Sequence, residues 1–424
     1  MNEDFLKHIN CRGYINQCTN EKGIQSQLKK SIVGYIGFDC TADSLHVGSL
    51  LPLMLLKNFQ KFGHKPIILV GGGTTLVGDP SGKDETRKII NEEIINQNKK
   101  KLKKIFEKFV DFNSSKKNCA LLVDNYDWLG KLEYISFLRK IGSKFSINKM
   151  LSLESIKQRL SREQNLSFLE FNYSILQAYD FLELFEKYNC ILQFGGSDQW
   201  GNIVSGIDLV KKEKKKEVFG LTTPLITNSS GEKMGKTADG AVWLSEDKLN
   251  SFDFWQFWRN TADKDVIKFL NLFTELKSSE IDHYTNLSGS EINKVKIVLA
   301  NEITSNCHGK EKALLAEQEA RKIIVKKELD SETIENSNKK IRITKEELQN
   351  GITLKKILLD LKLTRSASDS KRLILQGAIK INNLTVNDKD LVITKNHFIF
   401  KDKKNNYLMI NVGKKKYGFI ELIT

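Results

Sequence analysis

The sequence lacks the cysteine patterns that would indicate disulfides or a structural zinc site. Six cysteines are present among 424 residues, and none forms a C-x-x-C pair: Cys11, Cys18, Cys40, Cys119, Cys190 and Cys307. Only Cys307 stands beside a histidine, His308, and two adjacent residues chelate zinc poorly. We therefore expect free, buried thiols in a reducing compartment.

Membrane and export signals are also missing. No apolar run is long enough to span a bilayer. The N-terminal segment has no apolar core of a signal peptide, and the acidic residues Glu3 and Asp4 argue against a transit peptide. We expect a cytoplasmic enzyme without membrane association.

The composition leaves the partner open. With 40% hydrophobic and 28% charged residues, the chain has ordinary values for a soluble globular protein, and its length allows two or three domains. The formal net charge of +15 favours a polyanionic partner, most commonly nucleic acid. A lysine-rich proteome is the alternative explanation, because Lys, Asn and Ile are abundant and proline occurs only 4 times.

Strand-like and helix-like segments alternate through the first half of the chain. Strands are predicted at 32–38, 66–70, 120–123 and 191–194, and the apolar run at 66–70 suits a buried parallel strand. A helix is predicted at 47–62, where Pro52 is tolerated only in the first turn. This alternation predicts an α/β fold, a Rossmann-like doubly wound parallel sheet, with ligands at the carboxyl ends of its strands.

The pattern changes near Leu221. A short strand is predicted at 225–227, followed by a turn and a basic loop, and 251–326 has a helical pattern with clustered aromatic residues. Residues 330–350 are polar and lack an amphipathic period, which indicates a linker. From Gly351 onward we expect a small module of helices followed by strands.

The first candidate site lies where the strand at 32–38 ends and the helix at 47–62 begins. Gly37 permits close approach of a ligand to the backbone. His46 and Gly48 stand at the helix start, where backbone N–H groups and the helix dipole favour a phosphate.

Two glycine-rich segments follow. The run at 71–83 is not a P-loop, because the spacing from Gly78 to Gly82 is one residue too short. Gly195 and Gly196 come after a predicted strand. The carboxylate of Asp198, just beyond them, can accept hydrogen bonds from both hydroxyls of a ribose.

Three further segments carry polar groups at informative spacings. Tyr173, Gln177 and Asp180 lie on one face of a helix predicted at 169–188. The segment 232–237, EKMGKT, offers two lysines and a hydroxyl that can neutralise charge on phosphates. Basic residues cluster around a predicted helix start in 363–382 and can contact RNA phosphates.

In this order the motifs resemble those of the class I aminoacyl-tRNA synthetases, and in particular the bacterial-type tyrosyl-tRNA synthetases. Residues 46–49, HVGS, are similar to the HIGH signature, with Ser49 in place of the second histidine. The segment 232–237 resembles the KMSKS loop in its tyrosyl form, which often has glycine at the third position. The segment 363–382 resembles a small RNA-binding domain shared with a protein of the small ribosomal subunit.

The resemblance implies a reaction and an organisation. The enzyme would activate L-tyrosine with ATP and transfer it to the 3′-terminal ribose of tRNA(Tyr). It would be a homodimer with tRNA spanning both subunits, and magnesium would arrive with ATP and need no dedicated protein site, so no metal ligand is predicted. The implied domains are catalytic at 1–224, loop and connector at 225–250, helical and anticodon-binding at 251–330, linker at 331–350, and a small α+β RNA-binding domain at 351–424.

Residue roles follow from the same resemblance, which makes Tyr35 and Asp180 the partners of the substrate phenol. The implied tyrosine-binding residues are Tyr35, Asp79, Tyr173, Gln177, Asp180 and Gln199. The implied ATP-binding residues are Gly37, Asp39, His46, Gly48, Gly196, Asp198 and Lys236. The groups assigned to the phosphates during catalysis are Thr41, His46, Lys83, Arg87, Lys233, Lys236 and Thr237. The predicted RNA-binding residues are Arg365, Lys371 and Arg372.

Two other functions stay open. A tryptophanyl enzyme of the same superfamily would share most motifs, but Tyr35 with Asp180 and the RNA module count against it. A non-catalytic RNA-binding scaffold built on this fold is the other alternative. The segment 232–237, which we call the lysine loop, and the polar face of the helix predicted at 169–188 count against it. Exchange of pyrophosphate into ATP with tyrosine or tryptophan separates the three.

Overall fold

The computed structural model describes residues 4–80, 90–229, 231, 234–237, 240–289, 291–325, 340–382, 384–402, 405–413 and 416–423. The chain divides into two units. The first comprises Met1–Thr237, Ala241–Ser245 and Ala262–Ser288, and the second comprises Ala238–Gly240, Glu246–Thr261 and Gly289–Thr424. Within the described ranges, every helix is too short or too polar to cross a membrane.

The strands belong to a large sheet in each unit and to one short ribbon. In chain order they are β1 (Gln17–Cys18), β2 (Val33–Asp39), β3 (Lys65–Gly71), β4 (Leu121–Asp124), β5 (Cys190–Gly196), β6 (Phe219–Thr223), β7 (Lys236–Thr237), β8 (Gly240–Ala241), β9 (Lys340–Thr344), β10 (Ile379–Ile381), β11 (Leu384–Val386), β12 (Ile399–Asp402), β13 (Asn405–Val412) and β14 (Lys416–Ile423). The first unit's sheet has the order β1-β6-β5-β2-β3-β4. All its pairings are parallel except that of β1 with β6.

The helices of the described residues cover the rest of both units. They are α1 (Phe5–Cys11), α2 (Glu21–Gln27), α3 (Leu50–Lys61), α4 (Gly72–Val77), α5 (Glu92–Phe106), α6 (Tyr126–Leu129), α7 (Tyr134–Lys140), α8 (Ile147–Leu151), α9 (Glu154–Ser161), α10 (Phe168–Phe171), α11 (Tyr173–Tyr188), α12 (Trp200–Lys214), α13 (Ser251–Arg259), α14 (Val266–Phe273), α15 (Ser278–Thr285), α16 (Ile292–His308), α17 (Lys310–Val325), α18 (Lys345–Gln349), α19 (Leu354–Asp360) and α20 (Ala367–Leu375). Pro52 lies in the first turn of α3, where its missing N–H has no helical partner to lose.

The winding of the first sheet reverses at β2. From β2 the chain builds β3 and β4 on one side, and then crosses back to build β5 and β6 on the other. Consecutive residues of β3 are buried, so both faces of the sheet are covered. The predicted doubly wound sheet is therefore confirmed. Its topological switch point lies between the carboxyl ends of β2 and β5, where such folds bind ligands.

The strand predicted at 225–227 is wrong. The strand of this region is β6, which pairs with β5 and ends at Thr223. Pro224 follows directly, and a proline has no N–H to donate to a strand ladder. The short apolar stretch after the proline therefore lies outside the sheet.

The helices α14 and α15 belong to the first unit, although the sequence pattern grouped them with the following helices. The buried Arg12 donates from Nη1 to the carbonyls of Asn271 at 3.0 Å and Thr274 at 2.8 Å. The Tyr14 hydroxyl donates to the carbonyl of Leu272 at 2.7 Å. These donors satisfy carbonyls at the end of α14 that have no partner inside the helix, and so they fix it to the N-terminal segment.

The second unit combines a helical part with a C-terminal sheet. Among the clustered aromatic residues on α13, Phe252, Phe254, Trp255 and Trp258 are buried, and Phe257 is half-buried. The sheet has the order β11-β10-β13-β14-β9, with β12 on β13. Residues 340–349, predicted to lie in a linker, instead form β9, which pairs in parallel with β14, and α18. The remaining linker residues 331–339 lie outside the described ranges.

Candidate active site

A cavity of about 540 Å³ lies at the carboxyl ends of β2 and β5, within the first unit. The predicted site residues that line it are Tyr35, Gly37, Asp39, Thr41, His46, Gly48, Asp79, Tyr173, Gln177, Asp180, Gly196, Asp198 and Gln199. Lys83, Arg87 and Lys233 lie outside the described residues, and Lys236 and Thr237 are described only as the backbone of β7. Motifs far apart in the chain thus meet in one pocket.

The carboxylate of Asp180 is buried at the inner part of α11. It accepts hydrogen bonds from Trp128 Nε1 at 2.8 Å and from Asn125 Nδ2 at 3.0 Å. Burial raises the pKa of this carboxyl to about 8, while the two hydrogen bonds act in the opposite direction. The two donors fix the direction in which the carboxylate can receive a further group.

Tyr35, in the middle of β2, faces the same region. It is 1% exposed, and its ring lies 5.3 Å from that of Phe181. Burial, and next the negative charge of Asp180, raise the pKa of its hydroxyl well above the usual value. Among the residues that the structure describes, this hydroxyl has no hydrogen-bond partner. A buried polar group of this kind needs one, and a ligand in the cavity can supply it.

Asn125 connects Asp180 to a second carboxylate. Its Oδ1 accepts from the backbone N–H of Gly73 at 2.7 Å, and its Nδ2 donates to Thr74 Oγ1 at 3.0 Å as well as to Asp180. Thr74 in turn donates to Asp39 Oδ1 at 2.8 Å. A network of short-range bonds therefore spans the ends of β2, β3 and β4.

Asp39 accepts a hydrogen bond from a residue of α11, and Asp79 accepts one from a residue in the turn after β5. The Tyr173 hydroxyl donates to Asp39 Oδ2 at 3.1 Å. Gln199 Nε2 donates to Asp79 Oδ2 at 2.9 Å, and Gln199 Oε1 accepts from Asn202 Nδ2 at 3.0 Å. The amide of Gln199 is therefore oriented at both ends.

His46 caps the short 3₁₀ turn that precedes α3. Its Nδ1 accepts from the Gly48 backbone N–H at 2.9 Å. When the imidazole is neutral, this bond leaves the proton on Nε2, which is then a hydrogen-bond donor. A Cβ on Gly48 would lie 2.6 Å from His46 Cε1, so only glycine allows the ring to fold back in this way.

Several residues that line or support the site were not predicted from the sequence. Asn125 and Trp128 follow β4 directly, and the rule that ligands bind at the carboxyl ends of parallel strands would have pointed to them. Gln193 of β5 lies beside Tyr35 of β2 in the sheet and lines the cavity. Its buried Oε1 has no hydrogen-bond partner in the described structure. Trp243 lines the cavity too, and no sequence signal indicated it.

The predicted RNA-binding residues lie in the second unit around the start of α20. Arg365, Lys371 and Arg372 are all exposed. Ser366 caps α20 by accepting from the Asp369 N–H at 3.2 Å, and Arg372 Nη2 lies 2.6 Å from Asp369 Oδ1. Arg365 thus lies just before α20, and Lys371 and Arg372 lie within it.

Two family models match the chain in succession. The model described as tRNA synthetases class I (W and Y) matches residues 27–325, and the tyrosine–tRNA ligase SYY-like C-terminal domain matches residues 333–420. The tyrosine–tRNA ligase of Pelagibacter ubique (strain HTCC1062) is 48% identical over 420 residues, which cover 99% of this chain and 99% of that protein. The tyrosine–tRNA ligase of Wolbachia sp. subsp. Brugia malayi (strain TRS) is 49% identical over 98% of this chain and 97% of its own length.

Solved structures agree on the fold. A C-terminally truncated mitochondrial tyrosyl-tRNA synthetase from Aspergillus nidulans matches with a TM-score of 0.67 and 30% identity, covering 76% of this chain and 94% of that chain. The tyrosyl-tRNA synthetase of Archaeoglobus fulgidus, complexed with L-tyrosine, has a TM-score of 0.56 at 15% identity, with 73% of this chain and 100% of that chain covered. The second likeness shows the shared fold alone.

Proposed function

The chain belongs to the class I tRNA synthetases of the tryptophan and tyrosine type, and from this membership we propose how it works as a tyrosine–tRNA ligase. It activates L-tyrosine with ATP to give tyrosyl-adenylate and pyrophosphate. It then transfers tyrosine to the 3′-terminal ribose of tRNA(Tyr).

The pair formed by Tyr35 and Asp180 supports tyrosine as the amino-acid substrate. The buried Asp180 carboxyl group accepts a hydrogen bond, and the buried Tyr35 hydroxyl, which has no partner among the described residues, donates one. A phenol hydroxyl both donates and accepts, so it satisfies the two groups at once. The indole N–H of tryptophan only donates, and it would leave the Tyr35 hydroxyl unpaired. This asymmetry favours tyrosine over tryptophan.

The amino-acid end of the substrate is assigned to the opposite side of the pocket. Asp79, Tyr173 and Gln177 offer a carboxylate, a hydroxyl and an amide to the α-ammonium group. The amide of Gln199, oriented by Asp79 and Asn202, stands in the same lining. A substrate held at both ends has its carboxylate presented in a fixed direction, which favours an in-line reaction.

Activation needs no nucleophilic side chain. The tyrosine carboxylate attacks the α-phosphorus of ATP in line, the bond to the bridging oxygen breaks, and pyrophosphate leaves. Asp198 and Gly196 are assigned to the ribose, together with Gly37 and Asp39. The phosphates are assigned to Thr41, His46, Gly48, Lys83, Arg87, Lys233, Lys236 and Thr237. Hydrogen-bond donors and charges of this kind lower the barrier because they stabilise the charge that develops on the phosphates.

We propose that magnesium binds together with ATP and not at a separate site of the protein. Mg²⁺ keeps several waters and takes few protein carboxylates, and the cavity lining offers oxygen ligands of that type on Asp39 and Asp198. In the described part of the chain, no group of three or more His, Cys, Asp or Glu side chains could hold a metal. When bound, the ion would neutralise phosphate charge.

Transfer requires the tRNA to reach this pocket. The 3′-terminal ribose hydroxyl attacks the carbonyl of the adenylate, and AMP leaves. Arg365, Lys371 and Arg372 are assigned to phosphates of the tRNA body, because they are exposed and lie together. The cytoplasm, where tRNA is charged, is the compartment we assign.

A homodimer is supported by exposed apolar side chains in the first unit. The side chains of Tyr134, Ile135, Ile147 and Phe168 are 60%, 70%, 65% and 68% exposed, and all lie between β4 and α11. Large apolar side chains exposed to this degree gain stability when a partner protein covers them. We assign a second copy of this chain as the partner. Sedimentation of the purified protein, and of an Ile135→Glu variant, tests the assignment.

Pyrophosphate exchange tests the function as a whole. Purified protein should exchange labelled pyrophosphate into ATP with tyrosine, and not with tryptophan or phenylalanine. Exchange with tryptophan alone would identify the other enzyme of the superfamily. Binding of tRNA without any amino-acid-dependent exchange would instead indicate a non-catalytic scaffold.

A further inference from the structure

Within the segment 232–237, the lysine loop, Gly235 lies against the turn formed by residues 46–49, the His46 turn. Gly235 has a φ of +93°, a backbone conformation that favours glycine. A Cβ built on it would lie 2.9 Å from His46 Nδ1 and 3.0 Å from the backbone nitrogen of Gly48. Real Cβ atoms do not approach other atoms so closely without displacing them. The loop can therefore rest on the imidazole only because residue 235 has no side chain.

The chain that follows the loop also pairs with this turn. The N–H of Val242 donates to the carbonyl of Gly235 at 3.1 Å, and the carbonyl of Val242 accepts from the N–H of Val47 at 2.9 Å. Leu244 N donates to the carbonyl of Leu45 at 2.8 Å. One residue, Val242, is thus hydrogen-bonded both to the lysine loop and to the His46 turn, so their backbones are held in register.

The contact involves His46 Nδ1, the nitrogen whose hydrogen bond sets the tautomer of the imidazole. His46 Nδ1 accepts the N–H of Gly48, and in the neutral imidazole this bond places the ring proton on Nε2. A methyl group at position 235 would press on the same nitrogen and on the N–H that it binds. The imidazole would turn away, or the loop would lift.

We propose that Gly235 is a positioning residue for adenylate formation: because it has no side chain, the backbone at this position lies against His46 and Gly48 and keeps the imidazole in place for the phosphates of ATP. This inference rests on the proposed function and deepens it. It concerns the step in which pyrophosphate leaves. Tyrosine binding, which uses the other end of the pocket, and the later transfer to tRNA should not depend on it.

The test compares Gly235→Ala with Gly231→Ala in the full chain. Both glycines lie in the same loop region with positive φ, at +93° and +83°, so both substitutions introduce a similar backbone strain. A Cβ on Gly231 would meet no atom within 4 Å. We expect Gly235→Ala to lower kcat of tyrosine-dependent pyrophosphate exchange by about 10- to 100-fold, from the clash alone. Gly231→Ala should stay within about threefold of the parent.

Two further readouts separate positioning from a general defect. Tyrosine binding, measured by equilibrium dialysis, should be unchanged in Gly235→Ala. Transfer of tyrosine from preformed, enzyme-bound adenylate to tRNA should also proceed at the parental single-turnover rate, since the pyrophosphate has already left.

A double-mutant cycle with His46→Ala tests the contact itself. Without the imidazole, the methyl group at position 235 loses its nearest clash, so Gly235→Ala should slow exchange by a much smaller factor than in the parent. Independent effects that simply multiply would contradict the proposal. So would an equal slowing by Gly231→Ala. If the unmodified protein shows no tyrosine-dependent exchange, the proposed function fails instead, and the two failures are distinguishable.

Discussion

Trp128 Nε1 donates a 2.8 Å hydrogen bond to Asp180 Oδ1, although the two residues are 52 positions apart in the chain. The donor lies on α6, which follows β4, and the acceptor lies on α11. Asn125 supplies a second donor to the other oxygen of the same carboxylate. The group assigned to the substrate phenol is therefore held by hydrogen bonds from two side chains, Trp128 and Asn125.

Replacing Trp128 with phenylalanine tests this support. The substitution keeps an aromatic ring and removes one donor from a buried carboxylate, which costs about 1–3 kcal/mol when the group is left unsatisfied. We expect tyrosine to bind roughly 5- to 150-fold more weakly, with KM for ATP unchanged. Trp255→Phe is the matched control, because the indole of Trp255 donates to Asn301 in the second unit. An unchanged affinity for tyrosine would show that Trp128 does not orient Asp180.

Removing the Tyr35 hydroxyl should change selectivity more than stability. In the described structure this hydroxyl has no protein partner to lose, so Tyr35→Phe should leave the free energy of unfolding nearly unchanged. The substrate phenol loses one partner, and the preference for tyrosine over phenylalanine should fall. The measurement is kcat/KM for exchange with each amino acid. An intact preference would mean that the phenol lies elsewhere.

The stability of the first unit should fall in mild acid because of His64. Its imidazole is buried and stacked at 4.8 Å on Phe59, and burial lowers its pKa from 6.5 to about 4. Below pH 6.5 the unfolded chain takes up a proton at this residue and the folded chain does not, so the free energy of unfolding decreases as the pH falls from 6.5 towards 4. Above pH 6.5 the residue adds no pH dependence.

Urea unfolding between pH 4 and 8 measures the effect. His64→Phe keeps a ring in the cluster and should flatten this part of the profile. His283→Phe, at an exposed histidine of the same unit, serves as the control. Identical profiles for His64→Phe and the parent protein would rule out His64 as the source.

The RNA-binding assignment is best tested by substitution rather than by truncation. A cut near Gly351 would separate β9, whose Ile343 belongs to the buried core of the C-terminal sheet, from the rest of that sheet. The triple variant Arg365→Ala, Lys371→Ala, Arg372→Ala should keep tyrosine-dependent exchange and lose charging rate at subsaturating tRNA. Three lost phosphate contacts should reduce the slope of log affinity against log salt by about 2 to 3. Lys345→Ala, at an exposed lysine of the same unit, should change neither.

The sequence was enough to predict four strands of the first sheet and the chemistry of the motifs. Apolar runs were sufficient to predict β2, β3, β4 and β5 to within a residue or two, because buried parallel strands read as continuous apolar segments. Helical spacing places Tyr173, Gln177 and Asp180 on one face, and the family resemblance identified that face with substrate binding. The order of the motifs was enough to indicate the family, which the comparisons then showed.

Tertiary structure alone decided which distant groups support those motifs. The bonds from Asn125 and Trp128 to Asp180 join β4 to α11, and no local pattern encodes a contact between segments that meet only when the sheet winds in both directions from β2. The same holds for Val242, whose backbone bonds leave no trace in side-chain identity. Arg12 likewise fixes α14 to the first unit through backbone carbonyls, which every sequence possesses. Local periodicity records burial, whereas the partners of a buried polar group are set by the three-dimensional path of the chain.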